Sequence, residues 1–407
     1  MNILYIEHYA GSPEMGMEFR PYYLSREWVK LGHKVTIFAG DYSHLRKKNP
    51  AVSEDFQKET IDGIEYVWLR TGSYEGNGVS RALTMGRFVW KLYSHARMIA
   101  RQWKPDVVIA SSTYPLDTYP AQRIAKIAGC RYIHEVHDMW PATLYEIGGM
   151  SRRNPFVVLM QIAENSAYRH CDKCVSLLPY AKDYMVEHGL DPKKFVNLQN
   201  GVVLDEWQNP VPIPDEHRKF FENHSGSFIV GYFGGHALSN ALDNVLDTAK
   251  VLQDKQDDIV IVLVGDGFEK ERLIQRVKSE NITNTFFLPP VSRRAVPTLL
   301  SFFDCSIITA IDSPLYRFGV CLNKMYDSMM SGKPTICAIN SPLTLIEKYK
   351  CGVSLSGNDP GEIASSIIEL KKMSEEERSV MGKRGRDAVV NNYTYEHIAS
   401  EFSLLFC

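Results

Sequence analysis

Short apolar runs alternate with helix-like stretches along the whole chain, and this alternation limits the possible folds more than any other feature. Strands that alternate with helices pair in parallel sheets. Ile259–Val264 is apolar at every position, as is typical of a parallel strand buried on both faces. We therefore predict a doubly wound α/β architecture. The ten predicted strands are Asn2–Ile6, Lys34–Phe38, Val107–Ser111, Tyr132–Glu135, Lys173–Leu177, Phe228–Phe233, Ile259–Gly265, Thr285–Leu288, Cys305–Thr309 and Thr335–Ala338.

The length of the chain indicates two domains. A domain usually has roughly 100–200 residues, and this chain has 407. Residues 207–214 contain three prolines before a charged helix and a new strand, which is typical of a linker. We predict Rossmann-like domains over residues 1–205 and 206–390 that face a cleft, and a separate terminal segment over residues 391–407.

Composition restricts the cellular location and the partners. The chain is 44% hydrophobic with a net charge of −2, which gives no reason to expect a nucleic acid partner. Glu7 and His8 stand where a signal peptide needs apolar residues, so we expect a cytoplasmic protein. Cys171 and Cys174 have metal-like spacing but no second pair completes four ligands, and we predict no metal site.

Two glycine-containing loops follow predicted strands, where a parallel sheet binds ligands. Gly234, Gly235 and His236 follow one strand and precede a helix, an arrangement that suits a pyrophosphate. A simple turn with a surface histidine explains the same pattern. The loop that ends at Gly16 is a weaker candidate for binding an anion, and a plain strand-to-helix turn fits it equally well.

Charged residues follow two other predicted strands. On one predicted helix Lys324 and Asp327 are three residues apart and share a face, either as an exposed ion pair or as a cation for a diphosphate and a carboxylate for a ribose diol. His137 and Asp138 follow a strand of the first domain and are candidate catalytic groups, although either could cap a helix. Asp266 is better explained as a turn or capping residue than as a catalyst.

Taken in order, these segments resemble the family 4 retaining glycosyltransferases of the GT-B fold. The resemblance covers almost the whole chain and is closest to the subgroup that assembles bacterial O-antigen and capsule. Its motifs are Asn200-Gly-Val, Gly231-Tyr-Phe-Gly-Gly, Val264-Gly-Asp-Gly, Phe287-Leu-Pro-Pro-Val291, Tyr316-Arg-Phe-Gly, Asn323-Lys-x-x-Asp327, Ser331-Gly-Lys-Pro and Asp138-x-Trp-Pro.

The resemblance implies transfer of a sugar, often an N-acetylated hexosamine or deoxyhexosamine, from a UDP-sugar to a lipid diphosphate-linked saccharide. It implies no cofactor and no catalytic metal, and a C-terminal helix that packs back on the first domain. It implies catalytic roles for His137, Asp138 and Lys324. The residues it implies for donor binding are Gly16, Gly234, Gly235, His236, Asp266, Val291, Arg317, Asn323, Lys324 and Asp327.

The sequence departs from the family pattern at two places. The family has two glutamates eight residues apart, and if Asp327 is the second then Gly319 stands at the first. The usual basic residues after Gly235 are also missing. We expect Lys324, with Arg317 or His236, to supply the lost positive charge.

Residues 79–104 contain six basic residues and no acidic one, interleaved with apolar and aromatic residues. This pattern predicts a basic amphipathic helix that suits anionic lipid headgroups, although a core helix with a solvated face would show the same pattern. Because the resemblance implies a lipid-linked acceptor, we expect this helix to contact the inner face of the cytoplasmic membrane.

Two other functions remain open at this point: a non-hydrolysing UDP-sugar epimerase and a catalytically silent nucleotide-sugar-binding subunit.

Overall fold

The computed structural model of the chain describes residues 1–16, 19–76, 78–254 and 258–407. It divides into two compact units, the first made of residues 1–199 and 395–407 and the second of residues 200–394. The linker predicts a division at residue 206. In the structure Val202 already belongs to the second unit, where it forms a bridge with Thr394 and its amide donates to the Tyr393 carbonyl at 2.9 Å.

The first unit contains an eight-stranded sheet in the order β3-β4-β2-β1-β5-β6-β7-β8. All neighbouring strands are parallel except β3 and β4, which are antiparallel. The strands are β1 (Asn2–Ile6), β2 (Lys34–Gly40), β3 (Gln57–Ile61), β4 (Ile64–Leu69), β5 (Val107–Ala110), β6 (Arg131–Val136), β7 (Lys173–Ser176) and β8 (Phe195–Asn197).

Within the described residues of this unit, seven α-helices connect these strands. They are α1 (Phe19–Lys30), α2 (Val79–Ser94), α3 (Ala96–Trp103), α4 (Thr118–Ala128), α5 (Ala142–Glu146), α6 (Pro155–His170) and α7 (Lys182–Glu187). The amphipathic segment over residues 79–104 is therefore two helices, α2 and α3, which corrects the prediction of one. The helix breaks at His95, whose ring Nδ1 lies 2.8 Å from the Lys91 carbonyl oxygen.

The second unit contains a six-stranded parallel sheet in the order β11-β10-β9-β12-β13-β14. The order reverses between β9 and β12, and ligands of such sheets bind outside the carboxyl ends of the strands at that point. The strands are β9 (Phe228–Phe233), β10 (Ile259–Val264), β11 (Thr285–Leu288), β12 (Cys305–Thr309), β13 (Thr335–Ala338) and β14 (Gly352–Leu355).

Helices lie between and after these strands. They are α8 (Leu204–Gln208), α9 (Asp215–Asn223), α10 (Leu242–Gln253), α11 (Lys270–Ser279), α12 (Val296–Ser301), α13 (Asn323–Met330), α14 (Leu345–Lys348), α15 (Pro360–Lys372) and α16 (Glu375–Asn392). One buried apolar cluster joins β9, β10 and β12 to α10 and α15. This packing fixes the loops at the carboxyl ends of the strands.

The last helix, α17 (Tyr395–Ser403), belongs to the first unit. It packs on α1, where the Trp28 indole donates to the Ala399 carbonyl at 3.0 Å. Phe402 and Phe406 meet the same indole edge to face, with ring centroids 5.2 and 5.3 Å away.

The predicted α/β fold of two doubly wound sheets is confirmed, and all ten predicted strands are present with small differences at their ends. Four strands were missed: β3, β4, β8 and β14. The β3–β4 hairpin has a recognisable turn, because Asp62 and Gly63 both have positive φ angles, of 50° and 81°. None of the described helices has the length and apolar character needed to cross a membrane.

Candidate active site

In the second unit a glycine turn leads from β9 toward α10. We call residues 234–240 the Gly-Gly-His loop. Gly234 has a φ of 127°, which favours glycine, and its amide donates to the Val264 carbonyl at 3.0 Å. Gly234 and Gly235 are both exposed. A Cβ added at Gly234 would lie 3.7 Å from the Lys324 Nζ, so the ammonium group lies directly beside the bare backbone.

Lys324 is held against this loop by two polar side chains. Its Nζ donates to the Tyr232 hydroxyl at 3.0 Å and to the Asn240 Oδ1 at 2.7 Å, and it lies 4.6 Å from the centre of the Tyr232 ring. Tyr232 and Asn240 both donate in turn to the Gly235 carbonyl, at 2.7 and 2.9 Å. The structure therefore brings together Lys324, Gly234 and Gly235, and it fixes the position of the ammonium group.

Burial lowers the pKa of the Lys324 ammonium to about 8. No carboxylate pairs with Lys324 within the part of the chain that the structure describes. The group is therefore a positive charge without a protein counter-charge, still mostly protonated near neutral pH. An anionic ligand at the Gly-Gly-His loop would supply that counter-charge.

His236 is buried rather than a surface residue. Burial, together with the nearby charge of Lys270, lowers its pKa to about 4. The imidazole is therefore neutral near pH 7, which corrects the expectation that His236 supplies positive charge. Neither of its ring nitrogens has a hydrogen-bond partner among the described residues. A neutral imidazole offers hydrogen bonds to a ligand, not charge.

Asp327 does not pair with Lys324, although the two lie on the same helix α13. Its carboxylate is 1% exposed and accepts from both terminal nitrogens of Arg293, at 2.5 and 2.8 Å. The Arg293 Nε also donates to Glu206 at 3.0 Å. This ion-paired group excludes the exposed Lys324–Asp327 pair, and it closes the Asp327 carboxylate to a ribose diol unless Arg293 moves. No local sequence pattern identifies Arg293 and Glu206 as neighbours of Asp327, because both lie far from it in the chain.

Arg317 lies in the loop before α13, and Asn323 is the first residue of α13. Gly319 lies between them in the chain. Arg317 and Asn323 are both exposed. Arg317 donates to the Pro314 carbonyl at 2.6 Å, and its guanidinium lies 4.2 Å from the centre of the Phe318 ring. The guanidinium thus folds onto its own loop, and its predicted help to Lys324 stays a prediction.

Asp266 and Val291 follow β10 and β11. The Asp266 carboxylate is exposed and accepts from the Gly267 amide at 2.8 Å, which is the predicted turn role. Its carbonyl accepts from the His236 amide at 2.7 Å and so ties this turn to the Gly-Gly-His loop. Val291 is partly buried against an apolar cluster of the same unit.

In the first unit Glu135 is the centre of a buried polar network. Both Arg20 Nε and Nη2 donate to its Oε1, at 3.1 and 2.9 Å. Tyr5 and Ser111 donate to its Oε2, at 2.5 and 2.6 Å. We call these four residues with His137 the Glu135 network. Burial opposes ionisation, but the Arg20 guanidinium and the hydrogen bonds hold the pKa of the Glu135 carboxyl well below its usual range.

His137 belongs to the same network, and Asp138 lies beside it. The His137 Nε2 lies 2.7 Å from the Ser111 hydroxyl and 3.3 Å from Glu135 Oε2. Asp138 is exposed. Both line a small open cavity of about 10 Å³ in this unit, whose wall includes Trp140. The network therefore fixes the imidazole of His137 at the edge of that cavity.

Gly16 has a left-handed conformation with a φ of 75°, and its amide donates to the Ser12 carbonyl at 3.0 Å. That amide is used within its own turn, so it is not offered to an anion. Residues 17 and 18, between this turn and α1, lie outside the described residues.

Both units match glycosyltransferase families. Residues 15–201 match the glycosyl transferase 4-like domain, and residues 214–388 match the glycosyl transferases group 1 family. The chain belongs to glycosyltransferase family 4. The predicted resemblance to the glycosyltransferases is confirmed, and glycosyl transfer replaces the epimerase alternative.

Two curated proteins are similar to this glycosyltransferase over most of their length. One is the putative colanic acid biosynthesis glycosyl transferase WcaI of Escherichia coli K12, 24% identical over 69% of this chain and 70% of the relative. The other is the probable glycosyltransferase WbjE of Pseudomonas aeruginosa, 23% identical over 80% of this chain and 78% of the relative.

Solved structures share the GT-B fold. Sucrose-phosphate synthase from Thermosynechococcus elongatus aligns with a TM-score of 0.73 and 15% identity over 99% of this chain and 98% of its own. Anabaena Alr3699/HepE in complex with UDP and glucose aligns with a TM-score of 0.66 and 14% identity over 99% of this chain and 98% of its own. At this identity the comparison establishes the fold alone.

The Glu135 network generates a stability prediction. Glu135→Gln removes the carboxylate that pairs with the buried Arg20 guanidinium at 2.9 Å. Breaking a buried ion pair is strongly destabilising, so we expect the free energy of unfolding at about pH 7 to fall by about 3–5 kcal/mol. The loss should shrink below about pH 4, because the pKa of Glu135 is lower in the folded chain than in the unfolded chain and its ionised form stabilises the fold only above that range. Urea unfolding at several pH values measures both effects.

Glu187→Gln is the matched control, since Glu187 is exposed on α7 of the same unit. A loss in Glu135→Gln no larger than in this control would contradict the stabilising role of the network.

Proposed function

We propose that this glycosyltransferase moves an N-acetylated hexosamine or deoxyhexosamine from a UDP-sugar to a lipid diphosphate-linked saccharide in bacterial polysaccharide biosynthesis, with retention of configuration. The name of the Escherichia coli relative supports the pathway class, and the Anabaena structure with UDP and glucose supports the donor class. The resemblance to the O-antigen and capsule subgroup supports the acceptor class and the retention of configuration.

The position of Lys324 beside Gly234 carries this proposal. Glycosyl transfer places negative charge on the departing diphosphate, so catalysis needs fixed positive charge and hydrogen-bond donors around the leaving group. Lys324 supplies a partly buried ammonium group whose position is set by Tyr232 and Asn240. The bare backbone at Gly234 and Gly235 lets a diphosphate approach closely.

His137 and Asp138 act on the other reacting groups in this proposal. The Glu135 network fixes the imidazole, so that His137 orients a hydroxyl of the transferred sugar or of the acceptor. Asp138 would contact the same hydroxyls from the edge of the cavity. We assign no protein nucleophile and no metal cofactor, as the resemblance implies, and Lys324 contributes positive charge at the leaving group.

Lys324→Ala tests the transferase and the donor site together. Removing a fixed donor to developing negative charge usually costs about 10²–10³ in rate, and we expect that fall in kcat/KM. The assay incubates the protein with a panel of UDP-sugars and a lipid diphosphate-linked N-acetylglucosamine, and it follows UDP release and acceptor mass. A product one sugar heavier that persists with a chelator present would support the metal-free reaction.

Lys372→Ala is the matched control, because Lys372 is an exposed lysine of the same unit. Equal activity of the Lys324 and Lys372 variants would contradict the donor-site assignment. Donor binding without any turnover in the wild type would instead indicate a catalytically silent subunit.

We also propose peripheral contact with the inner face of the cytoplasmic membrane through α2 and α6. Both helices pack on α4, and each has exposed apolar residues. On α2 these are Val79, Leu83 and Trp90, which are 78%, 55% and 68% exposed, and on α6 they are Val158, Leu159 and Ile162.

Exposed basic residues accompany this apolar surface and suit anionic headgroups. They are Arg87, Arg97, Arg101, Lys104, Arg152 and Arg153. The structure removes Lys91 from the predicted basic set, because it pairs with Asp55 at 2.6 Å. Arg81 likewise turns inward toward the Tyr9 hydroxyl at 3.3 Å.

Trp90→Ala tests the membrane contact. Burial of a large apolar side chain contributes about 1.5–3 kcal/mol of binding free energy. We therefore expect binding of Trp90→Ala to phosphatidylglycerol vesicles to be weaker by about tenfold or more. Co-sedimentation with vesicles measures it, and Leu31→Ala, at a 54% exposed leucine after α1, is the control. Vesicle binding that is equal in the two variants would contradict the assigned surface.

A further inference from the structure

An open cavity lies in the second unit, outside the residues assigned above. It has a volume of about 130 Å³ and lies at the carboxyl ends of three neighbouring parallel strands, β12, β13 and β14. This edge of the sheet is where open α/β folds bind ligands. Since one bound water needs about 10–15 Å³ on this measure, the cavity has room for a small ligand. The lining residues are Ala310, Asp312, Ala338, Asn340, Ser356, Gly357 and Asn358.

The wall of this cavity is fixed by hydrogen bonds between elements. The Asn358 amide donates to the Ala310 carbonyl at 2.8 Å, which joins the loop after β14 to the loop after β12. The Asn358 carbonyl accepts from the Asn244 amide at 2.9 Å, which joins the same loop to α10. The space is therefore preorganised, and a ligand would not have to order these loops.

The polar groups of the lining suit a neutral, hydroxylated ligand. Asp312 offers a carboxylate, Asn340 an amide and Ser356 a hydroxyl, which together accept and donate hydrogen bonds. No hydrogen bond or ion pair to these three side chains occurs within the described ranges of the chain. The lining contains no lysine, arginine or histidine, so it does not favour a phosphate. A sugar ring, with several adjacent hydroxyl groups, matches this set.

The cavity is connected to the Lys324 site through the Gly-Gly-His loop. Thr309, the last residue of β12, donates from its hydroxyl to the Asn240 carbonyl at 2.7 Å, and the Ile311 amide donates to the Ser239 carbonyl at 3.0 Å. Asn240 also holds Lys324. The strand end that forms one wall of the cavity therefore also supports the loop beside the ammonium group.

We propose that this cavity is a sugar-binding subsite in which Asp312 accepts hydrogen bonds from two adjacent hydroxyl groups, with Asn340 and Ser356 as further partners. The assignment of this sugar to the donor or to the acceptor rests on the proposed function. The binding of a sugar ring to the cavity does not depend on turnover, and it is tested without it.

Asp312→Asn keeps the size of the side chain and removes its charge. Because a hydrogen bond to a charged group is stronger than one to a neutral group, we expect affinity for the sugar-bearing probe to fall by about tenfold or more, with no change for UDP. Saturation-transfer NMR and titration calorimetry with UDP, UDP-N-acetylglucosamine and the methyl glycoside of N-acetylglucosamine measure this. Asp254→Asn is the matched control, because Asp254 is an exposed carboxylate that follows the last residue of α10, whereas the cavity loop contacts Asn244 near the first.

The probes separate the two sources of the sugar. Weaker binding of UDP-N-acetylglucosamine with unchanged UDP binding would identify the donor sugar, and weaker binding of the methyl glycoside alone would identify an acceptor sugar. Either result supports the subsite. Unchanged affinity for both sugar probes in Asp312→Asn would overturn it, even if transfer by the wild type proves the proposed function. Glycoside binding that depends on Asp312, in a wild-type protein that binds no UDP, would support the subsite while contradicting the proposed function.

Discussion

The partly buried ammonium group of Lys324 is the feature on which the proposed chemistry of the second unit depends. Desolvation of a lysine is unfavourable, and here two neutral oxygens, from Tyr232 and Asn240, offset only part of that cost. The three side chains all converge on the backbone of Gly235 and Gly234. No carboxylate among the described residues pairs with this ammonium group, so the site is suited to an anion. In a glycosyl transfer from a nucleotide sugar that anion is the diphosphate.

In the first unit the buried charge of Glu135 is paired within the protein, unlike that of Lys324 among the described residues. Glu135 is surrounded by donors, and Arg20 neutralises it, so this charge is satisfied within the protein. The network therefore stabilises the first unit and fixes the imidazole of His137 through Ser111 and Glu135. In our proposal His137 is the member of the network that contacts a substrate. The charge of Glu135 is thus paired within the protein, whereas we propose that the charge of Lys324 pairs with a ligand.

Local sequence patterns predicted much of this arrangement. Continuous apolar runs indicated the strands, and the glycines after β9 and the lysine at the start of α13 identified the two parts of the Lys324 site by residue type and position alone. What the sequence did not reveal depends on contacts between distant positions: Arg293 with Asp327, and Arg20 with Glu135. The neutral state of His236 follows from burial, and the break at His95 has no glycine or proline to mark it.

Titration of UDP into the protein between about pH 7 and pH 9 tests whether Lys324 binds the donor diphosphate. The pKa of Lys324 is lowered to about 8, so its charge is largely present at the lower pH and largely lost at the higher one. We expect the UDP affinity of the wild type to fall by about tenfold over this range relative to that of Lys324→Ala, which also corrects for titration of UDP itself. Parallel pH dependence in the two proteins, or equal affinity at about pH 7, would contradict it.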